Sequence, residues 1–283
     1  MKKISFSFLI LFVLSFSSFA QKTAFTVDDI LRVKSLGSQN LCPSGDWLAG
    51  IISDGTARFG TDHFRFRDPS YLNLRAGEPV LINTNSGEQV AMFDGKARIT
   101  NMTWADDESR LYFFEQQKDA LVLAYFDTKS MKVRYPKFKD DRIITSNQGI
   151  TVSPDGNSVI ISARKAGWLE TAVAEYKEAT EGPIVVYDGS EDFLKWDKIG
   201  ATGSLTELVK IDLKSGMVED LLPESNYGGV NLSENGQYLR FRETFRLKTN
   251  YTRSGGSEYQ VGFLNMNDTD SAQYIYERNK RSK

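Results

Sequence analysis

The residues that could carry nucleophilic or acid–base chemistry are few in this sequence and lie far apart. Hydrolysis by a serine requires a histidine base within hydrogen-bond reach of the hydroxyl. The chain has a single histidine, His63, which precedes both serines that stand in partial Gly-x-Ser motifs, Ser158 and Ser257. Each motif lacks the second glycine of the Gly-x-Ser-x-Gly elbow that exposes a nucleophile. We therefore expect His63 to be a surface or edge residue and the chain to contain no catalytic residue.

The remaining candidates for ligand chemistry are acidic clusters and one cysteine. Oxygen ligands are available in Asp106-Asp107-Glu108 and in residues 265–270, but neither cluster has the glycine and distal glutamate of a calcium loop. The sequence has no Cys/His cluster of the zinc type and no glycine-rich phosphate loop. Cys42 has no second cysteine to pair with, and we expect it to be a small buried side chain. We predict neither a metal site nor a cofactor.

A fourfold repeat supplies the elements that surround these residues. Each copy has an apolar lead-in, a tight turn built from Pro, Asp, Asn and Gly, and an alternating apolar strand, which together are typical of a β-hairpin. The copies occupy residues 41–48, 103–111, 152–160 and 232–239. With the residue that opens the turn as a marker, they begin at Cys42, Trp104, Ser153 and Ser233, spaced 62, 49 and 80 residues apart.

A second recurring pattern, a strand that runs into a Ser-Gly or Thr-Lys-Ser turn and back, lies between these copies. It occupies residues 80–87, 123–130 and 208–216, with a less regular fourth copy at 261–267. Two hairpins per repeat make four strands, the content of one propeller blade. The sequence therefore predicts an all-β fold, a partial β-propeller of about four blades. We place the blades at residues 36–93, 97–139, 147–222 and 227–279 within a domain spanning 21–283.

Helices are predicted at two places. Thr26 and Asp29 have the spacing of a capping box, so one short helix precedes the repeats. Because a blade takes about 40 to 50 residues, the first and third blades carry insertions, at 54–74 and 164–203. Residues 168–179 have the pattern of an amphipathic helix, with Leu169, Ala172, Val173 and Tyr176 on one stripe. This helical insertion either rims a binding surface or caps a loop. In the first insertion, residues 60–68 alternate aromatic and Arg, which suggests an edge strand.

The first twenty residues are interpreted as an export signal. Lys2 and Lys3 precede an apolar run over residues 8–16, and Ser18-Phe19-Ala20 is a small-x-small cleavage site. The alternative, an uncleaved anchor, requires about 20 apolar residues, more than this run has. Gln21 follows the site, where a lipoprotein would have Cys. We expect cleavage after Ala20 and a periplasmic or secreted protein without a membrane segment.

Composition limits the partners. The 283 residues carry a net charge of −2 with a pI near 5.7, which gives no electrostatic reason to expect nucleic acid or an anionic membrane as a partner. The hydrophobic and charged fractions, 40% and 25%, are those of an ordinary folded domain.

Two motifs carry a resemblance to a known family. The turn Ser153-Pro-Asp-Gly156, repeated with Asp-x-x-Ser-Gly hairpins, resembles the N-terminal β-propeller of prolyl oligopeptidase (S9) family serine peptidases. It is also similar to turns of TolB-like and WD40-like propellers. Residues 25–48 resemble the start of exported bacterial acylaminoacyl-peptidase or dipeptidyl-peptidase members, and 186–197 are similar to a segment inside their propellers.

The resemblance implies work on peptides. In complete S9 enzymes the propeller covers the active site and restricts access to short peptides, and an α/β-hydrolase domain follows it with the elbow that this sequence lacks. We expect the non-catalytic propeller portion of such a peptidase, truncated or split, whose partners are a peptide and a hydrolase domain or partner chain. Residues 273–283 read as a chain entering another strand, and no closing strand is visible. The alternative is a free-standing exported propeller that binds a peptide, glycan or protein. A complete peptidase is disfavoured.

Overall fold

The computed structural model describes residues 25–65, 67–182, 184, 195–247 and 256–276, and the interpreted export signal lies outside these ranges. Within them, helix α1 spans Val27–Arg32, α2 spans Trp168–Thr180 and α3 spans Lys195–Thr202. The capping box that begins α1 is confirmed. The Asp29 amide donates to Thr26 Oγ1 at 3.2 Å, and the Thr26 amide donates to Asp29 Oδ2 at 2.8 Å. Helix α3 was not predicted.

Seventeen strands of the described residues form four antiparallel sheets, each built on a meander of four consecutive strands. We call these sheets blades 1 to 4. Blade 1 contains β1 Ser35–Leu41, β2 Trp47–Ser53, β3 Glu78–Asn83 and β4 Gln89–Ala91. Blade 2 contains β5 Ile99–Trp104, β6 Arg110–Gln117, β7 Ala120–Asp127 and β8 Lys132–Arg134. Blade 3 contains β10 Thr151–Val152, β11 Ser158–Arg164, β12 Thr206–Asp212 and β13 Val218–Ser225, with the short β9 Ile143–Thr145 also paired to β11. Blade 4 contains β14 Tyr227–Leu232, β15 Tyr238–Arg246, β16 Ser257–Asn265 and β17 Asp268–Tyr276.

The repeated turn joins the first and second strands of every blade. In blades 1 and 3 the residue that opens it, Cys42 or Ser153, donates its amide to the carbonyl five residues later, at 2.9 Å in both. In blade 2 the residue in this position is Ala105, which donates to the Arg110 carbonyl at 2.9 Å. The prediction of Trp104 is therefore wrong by one residue, because Trp104 is the last residue of β5. Cys42 is buried, as predicted.

Side chains that alternate between the two faces of each strand form the hydrophobic core between the blades. In β6, Leu111 and Phe113 pack toward blade 1, whereas Tyr112 and Phe114 pack toward blade 3. Successive side chains of a strand point to opposite faces, so a blade with neighbours on both sides is apolar on both. A third cluster, which includes Phe241, joins blade 3 to blade 4. The described residues thus form three interfaces among four blades, and none of these clusters joins blade 4 to blade 1.

The first insertion differs from its prediction. Residues 55–58 and 63–65 form 3-10 turns, so the edge strand predicted at 60–68 is wrong. The carboxylates of Asp54, Asp62 and Asp68 accept the amides two residues later, at distances between 2.9 and 3.0 Å. Such local side-chain acceptors stabilise turns at the expense of strand pairing.

Candidate binding site at the junction of the two insertions

The two long insertions leave their blades at equivalent places, between the second and third strands, and they contact each other. Tyr176 Oη of α2 donates to the Phe64 carbonyl at 3.0 Å, and the Tyr176 ring packs edge-on against Trp196 of α3 at 6.2 Å. A side chain at Gly203 would lie 3.0 Å from Pro69. We call the described residues in 61–72, 164–169 and 195–204 the insertion junction.

Arg164 lies at the centre of the insertion junction, at the end of β11. Its Nη2 donates to the Gly203 carbonyl at 2.8 Å and its Nη1 to the Pro69 carbonyl at 3.4 Å. The guanidinium carbon stands 3.7 Å from the centre of the Trp168 ring, a cation–π geometry. Trp168 is itself held by a bond from its Nε1 to the Thr202 carbonyl at 3.0 Å. Both insertions therefore fix the position of one guanidinium group.

No carboxylate of the described residues forms an ion pair with Arg164. Its Nε is buried and has no hydrogen-bond partner in the described part of the chain. Burial alone lowers the pKa of Arg164 to about 10, because no neighbouring charge offsets the loss of hydration. The buried carboxylate of this region, Asp68, is already engaged by Arg65 at 2.6 Å and by the Ser70 amide at 2.9 Å.

Two clefts meet at Arg164. The first, of about 370 Å³, lies between the first insertion, β9 and the start of α2. The second, of about 500 Å³, brings Arg164 together with Arg67, Arg246 and the indole of Trp196. Leu169 of α2 lines the first cleft and is exposed. The predicted helix is confirmed, but only half of its predicted apolar stripe is buried: α2 buries Ala172 and partly buries Tyr176, and it leaves Leu169 and Val173 exposed. The other buried residues of α2 are Trp168 and Ala179.

The residues singled out for catalysis lie elsewhere. His63 is exposed in a 3-10 turn and lines a separate small cleft with Thr61 and Asn73. Ser158 is buried in β11, where its amide donates to Ser153 Oγ at 2.9 Å and closes the repeated turn. Ser257 begins β16, and the glycine two residues before it lies outside the described ranges.

The acidic clusters are turns. The Asp107 carboxylate accepts the Ser109 amide at 3.1 Å, and Glu108 binds the amide and hydroxyl of Ser44 in the neighbouring blade. In the second cluster Asn265 Oδ1 accepts the Asn267 amide at 3.0 Å in the β16–β17 hairpin. The described residues contain no group of three or more His, Cys, Asp or Glu that could hold a metal ion. Among the helices described, none combines the length and apolar content that crossing a bilayer requires.

Sequence reasoning missed Arg164 as a site residue. In the sequence, Arg164 served only as the first residue of the helical insertion, because nothing distinguishes it there from other arginines at strand ends. Its partners Pro69 and Gly203 lie 95 and 39 residues away in sequence. The weak local signals were the aromatic Trp168 four residues later and the position of both insertions after a second strand.

Comparisons with known proteins place the fold. No family model matches the chain. The acylaminoacyl peptidase of Pyrococcus horikoshii is similar with a TM-score of 0.53 and 11% identity, over 88% of this chain and 33% of that one. The propeller domain of the trilobed protease from Pyrococcus furiosus is similar with a TM-score of 0.51 and 9% identity, over 88% and 58%. TolB from Acinetobacter baumannii gives a TM-score of 0.47 and 12% identity, over 86% and 44%.

The chain is shorter than these proteins and spans 33% to 62% of the length of the first solved structures it matches. At identities of 9% to 12% the likeness concerns the fold alone. It agrees with the four antiparallel blades and with the few helices of the described residues. The chain has the β-propeller fold, and its described residues form four blades.

Proposed function

We propose that this chain is the non-catalytic propeller portion of an S9-type serine peptidase and that it receives or admits peptides at the insertion junction. The observation that carries this proposal is the pairing of two insertions at the same position of their blades, with clefts of about 370 and 500 Å³ between them. Volumes of this order suit small ligands. The proposal is further supported by the S9-like Ser-Pro-Asp-Gly turn and by the fold shared with acylaminoacyl peptidase.

Catalysis would come from a hydrolase domain or partner chain. We expect the purified protein to release no product above buffer from aminoacyl and dipeptidyl chromogenic substrates, because the sequence has no nucleophile elbow and His63 lies in a turn of the first insertion. A fluorophosphonate probe, which labels activated serines, should leave the chain unmodified. Covalent labelling would contradict the proposal, and Ser158→Ala and Ser257→Ala variants would identify the serine responsible.

Export is part of the same proposal. Residues 2–20 have the charge, apolar run and cleavage site of a signal, and peptide degradation outside the cytoplasm would fit an S9-type propeller. We expect the protein recovered from the periplasm or medium to begin at Gln21, as read by mass spectrometry of its N-terminal peptide. Recovery of an intact Met1 terminus in the cytoplasmic fraction would contradict export.

One observation favours the alternative, a free-standing exported propeller that binds a peptide, glycan or protein. The seventh and ninth residues after the turn opening face the following blade in blades 1 to 3. They are Ala49 and Ile51, Tyr112 and Phe114, and Ile160 and Ser162, all buried or nearly so. In blade 4 the same positions hold Arg240 and Arg242, both exposed. An apolar fifth blade would bury two guanidinium groups, which is costly without carboxylate partners.

A further inference from the structure

We propose that Arg164 anchors a carboxylate group of the bound peptide, so that the insertion junction selects ligands by this group. The inference rests on the proposed peptide-binding function and names the ligand chemistry. A carboxylate is the group that matches a guanidinium in shape and charge, since two parallel N–H donors can meet two oxygens.

The first support is the unfilled hydrogen-bonding capacity of Arg164. A guanidinium has five N–H donors, and here two bonds go to the carbonyls of Gly203 and Pro69. Nε, a donor on the side chain's rigid edge, is buried and has no partner in the described ranges. Buried donors are nearly always satisfied in folded proteins, so the unsatisfied Nε makes this guanidinium costly to keep charged, and an anion bound by the N–H groups of Nη1 and Nη2 that the two carbonyls leave free would offset that cost.

The second support is charge. Both protein acceptors of Arg164 are neutral carbonyls, and the nearby carboxylate of Asp68 is committed to Arg65 and Ser70. A buried cation without a counter-charge is destabilising, and the loss of this penalty on binding adds to the affinity for an anion. The stacked indole of Trp168 holds the guanidinium plane in place before the ligand arrives, which reduces the ordering cost of binding.

The third support is the composition of the larger cleft. Arg67 and Arg246 line it together with Arg164, and the Arg246 bond given by the structure goes to the backbone carbonyl of Asp197 at 3.4 Å. The carboxylates of Asp68 and Asp197 also line this cleft, so its described lining carries three guanidinium groups against two carboxylates, and this positive excess favours an anionic ligand. The Trp196 ring offers an apolar surface for a neighbouring residue of a peptide. We therefore place the peptide in this cleft, with its carboxylate on Arg164.

The test compares three short peptides by calorimetric titration of the full chain. N-acetyl-trialanine carries a terminal carboxylate, its C-terminal amide carries none, and N-acetyl-Ala-Glu-Ala-amide carries one on a side chain. We expect Arg164→Met to weaken binding of the carboxylate peptide by about 10- to 100-fold, the usual effect of removing a charge-assisted hydrogen bond. Preference for the first or third peptide identifies a terminal or a side-chain carboxylate as the source, and either result supports the inference.

Arg110→Met is the matched control. Arg110 also donates to a backbone carbonyl, that of Gly156, and also stands over an aromatic ring, that of Tyr125 at 5.2 Å, but it lies outside both clefts. Binding should be unchanged in this variant. Arg164→Lys, which keeps the charge and loses the two-donor geometry, provides a second readout if the methionine variant does not fold, and it should also bind more weakly.

Two outcomes would overturn the inference, and they have different consequences for the proposed peptide-binding function. If the amide peptide binds as tightly as the acid, or if the Arg164 variants bind like the wild type, the carboxylate anchor is wrong and the peptide-binding function stands. If none of the three peptides binds the wild-type chain, the peptide-binding function itself fails with it.

Discussion

Replacing Gly216 with alanine is expected to destabilise the protein by about 3 kcal/mol. Gly216 lies in the turn between β12 and β13 with φ +72°, a left-handed conformation that costs other residues about 1 kcal/mol. An added Cβ would also stand only 2.4 Å from the carbonyl oxygen of Lys137, which belongs to the segment joining blades 2 and 3. Because this neighbour is backbone, relief requires a shift of that segment, and overpacking of this kind costs about 1 to 3 kcal/mol more.

Gly87→Ala separates the two contributions. Gly87 occupies the equivalent turn of blade 1, with φ +75° and a bond from its amide to the Asn83 carbonyl at 2.8 Å, but nothing lies within 4 Å of its built Cβ. The Gly87→Ala variant should therefore lose only the conformational contribution to the unfolding free energy, about 1 kcal/mol. Urea unfolding of both variants gives the comparison. Equal losses would show that Lys137 does not pack against the β12–β13 turn in solution.

The second large effect concerns the two faces of blade 4. Phe241→Ala should cost about 3 to 5 kcal/mol, because the ring is fully buried between blades 3 and 4 and packs edge-on against Tyr227 and Tyr274 at 5.7 and 5.9 Å. Phe263 lies on the adjacent strand β16, opposite Arg240, and faces away from blade 3. It is only partly buried, so Phe263→Ala should cost about 1 kcal/mol.

This pair tests whether blade 4 ends the stack. Both residues are phenylalanines of one sheet. The difference between their losses of unfolding free energy therefore shows how well each face of blade 4 is shielded from solvent. Equal costs would mean that another surface covers Phe263 in solution, through ring closure, a further blade or self-association. Light scattering during size-exclusion chromatography identifies self-association, because an unpaired strand edge and an exposed aromatic face favour it.

Much of the fold follows from local sequence patterns. The Ser-Pro-Asp-Gly turn requires its glycine at positive φ, and Gly156 has φ +66°. The alternation after each such turn predicts which residues of β6 and β15 point to which neighbour, because side chains of a strand alternate between faces. Spacing alone locates the two insertions, since they lengthen a repeat whose size is otherwise nearly constant. These features depend on residues within a few positions of each other, which is the range over which sequence patterns determine structure.

The candidate site was decided by the tertiary structure. The edge strand predicted at 60–68 is replaced by turns in which Asp62 and Asp68 bind nearby amides, and alternation could not reveal this competition. Arg164 gains its properties from the carbonyls of Pro69 and Gly203, which blade packing brings to it. The sequence by itself determined four repeated blades with two insertions and the absence of a nucleophile elbow. Only the tertiary structure placed both insertions together around a partly buried guanidinium that has no carboxylate partner among the described residues, because burial and charge pairing arise from contacts distant in sequence.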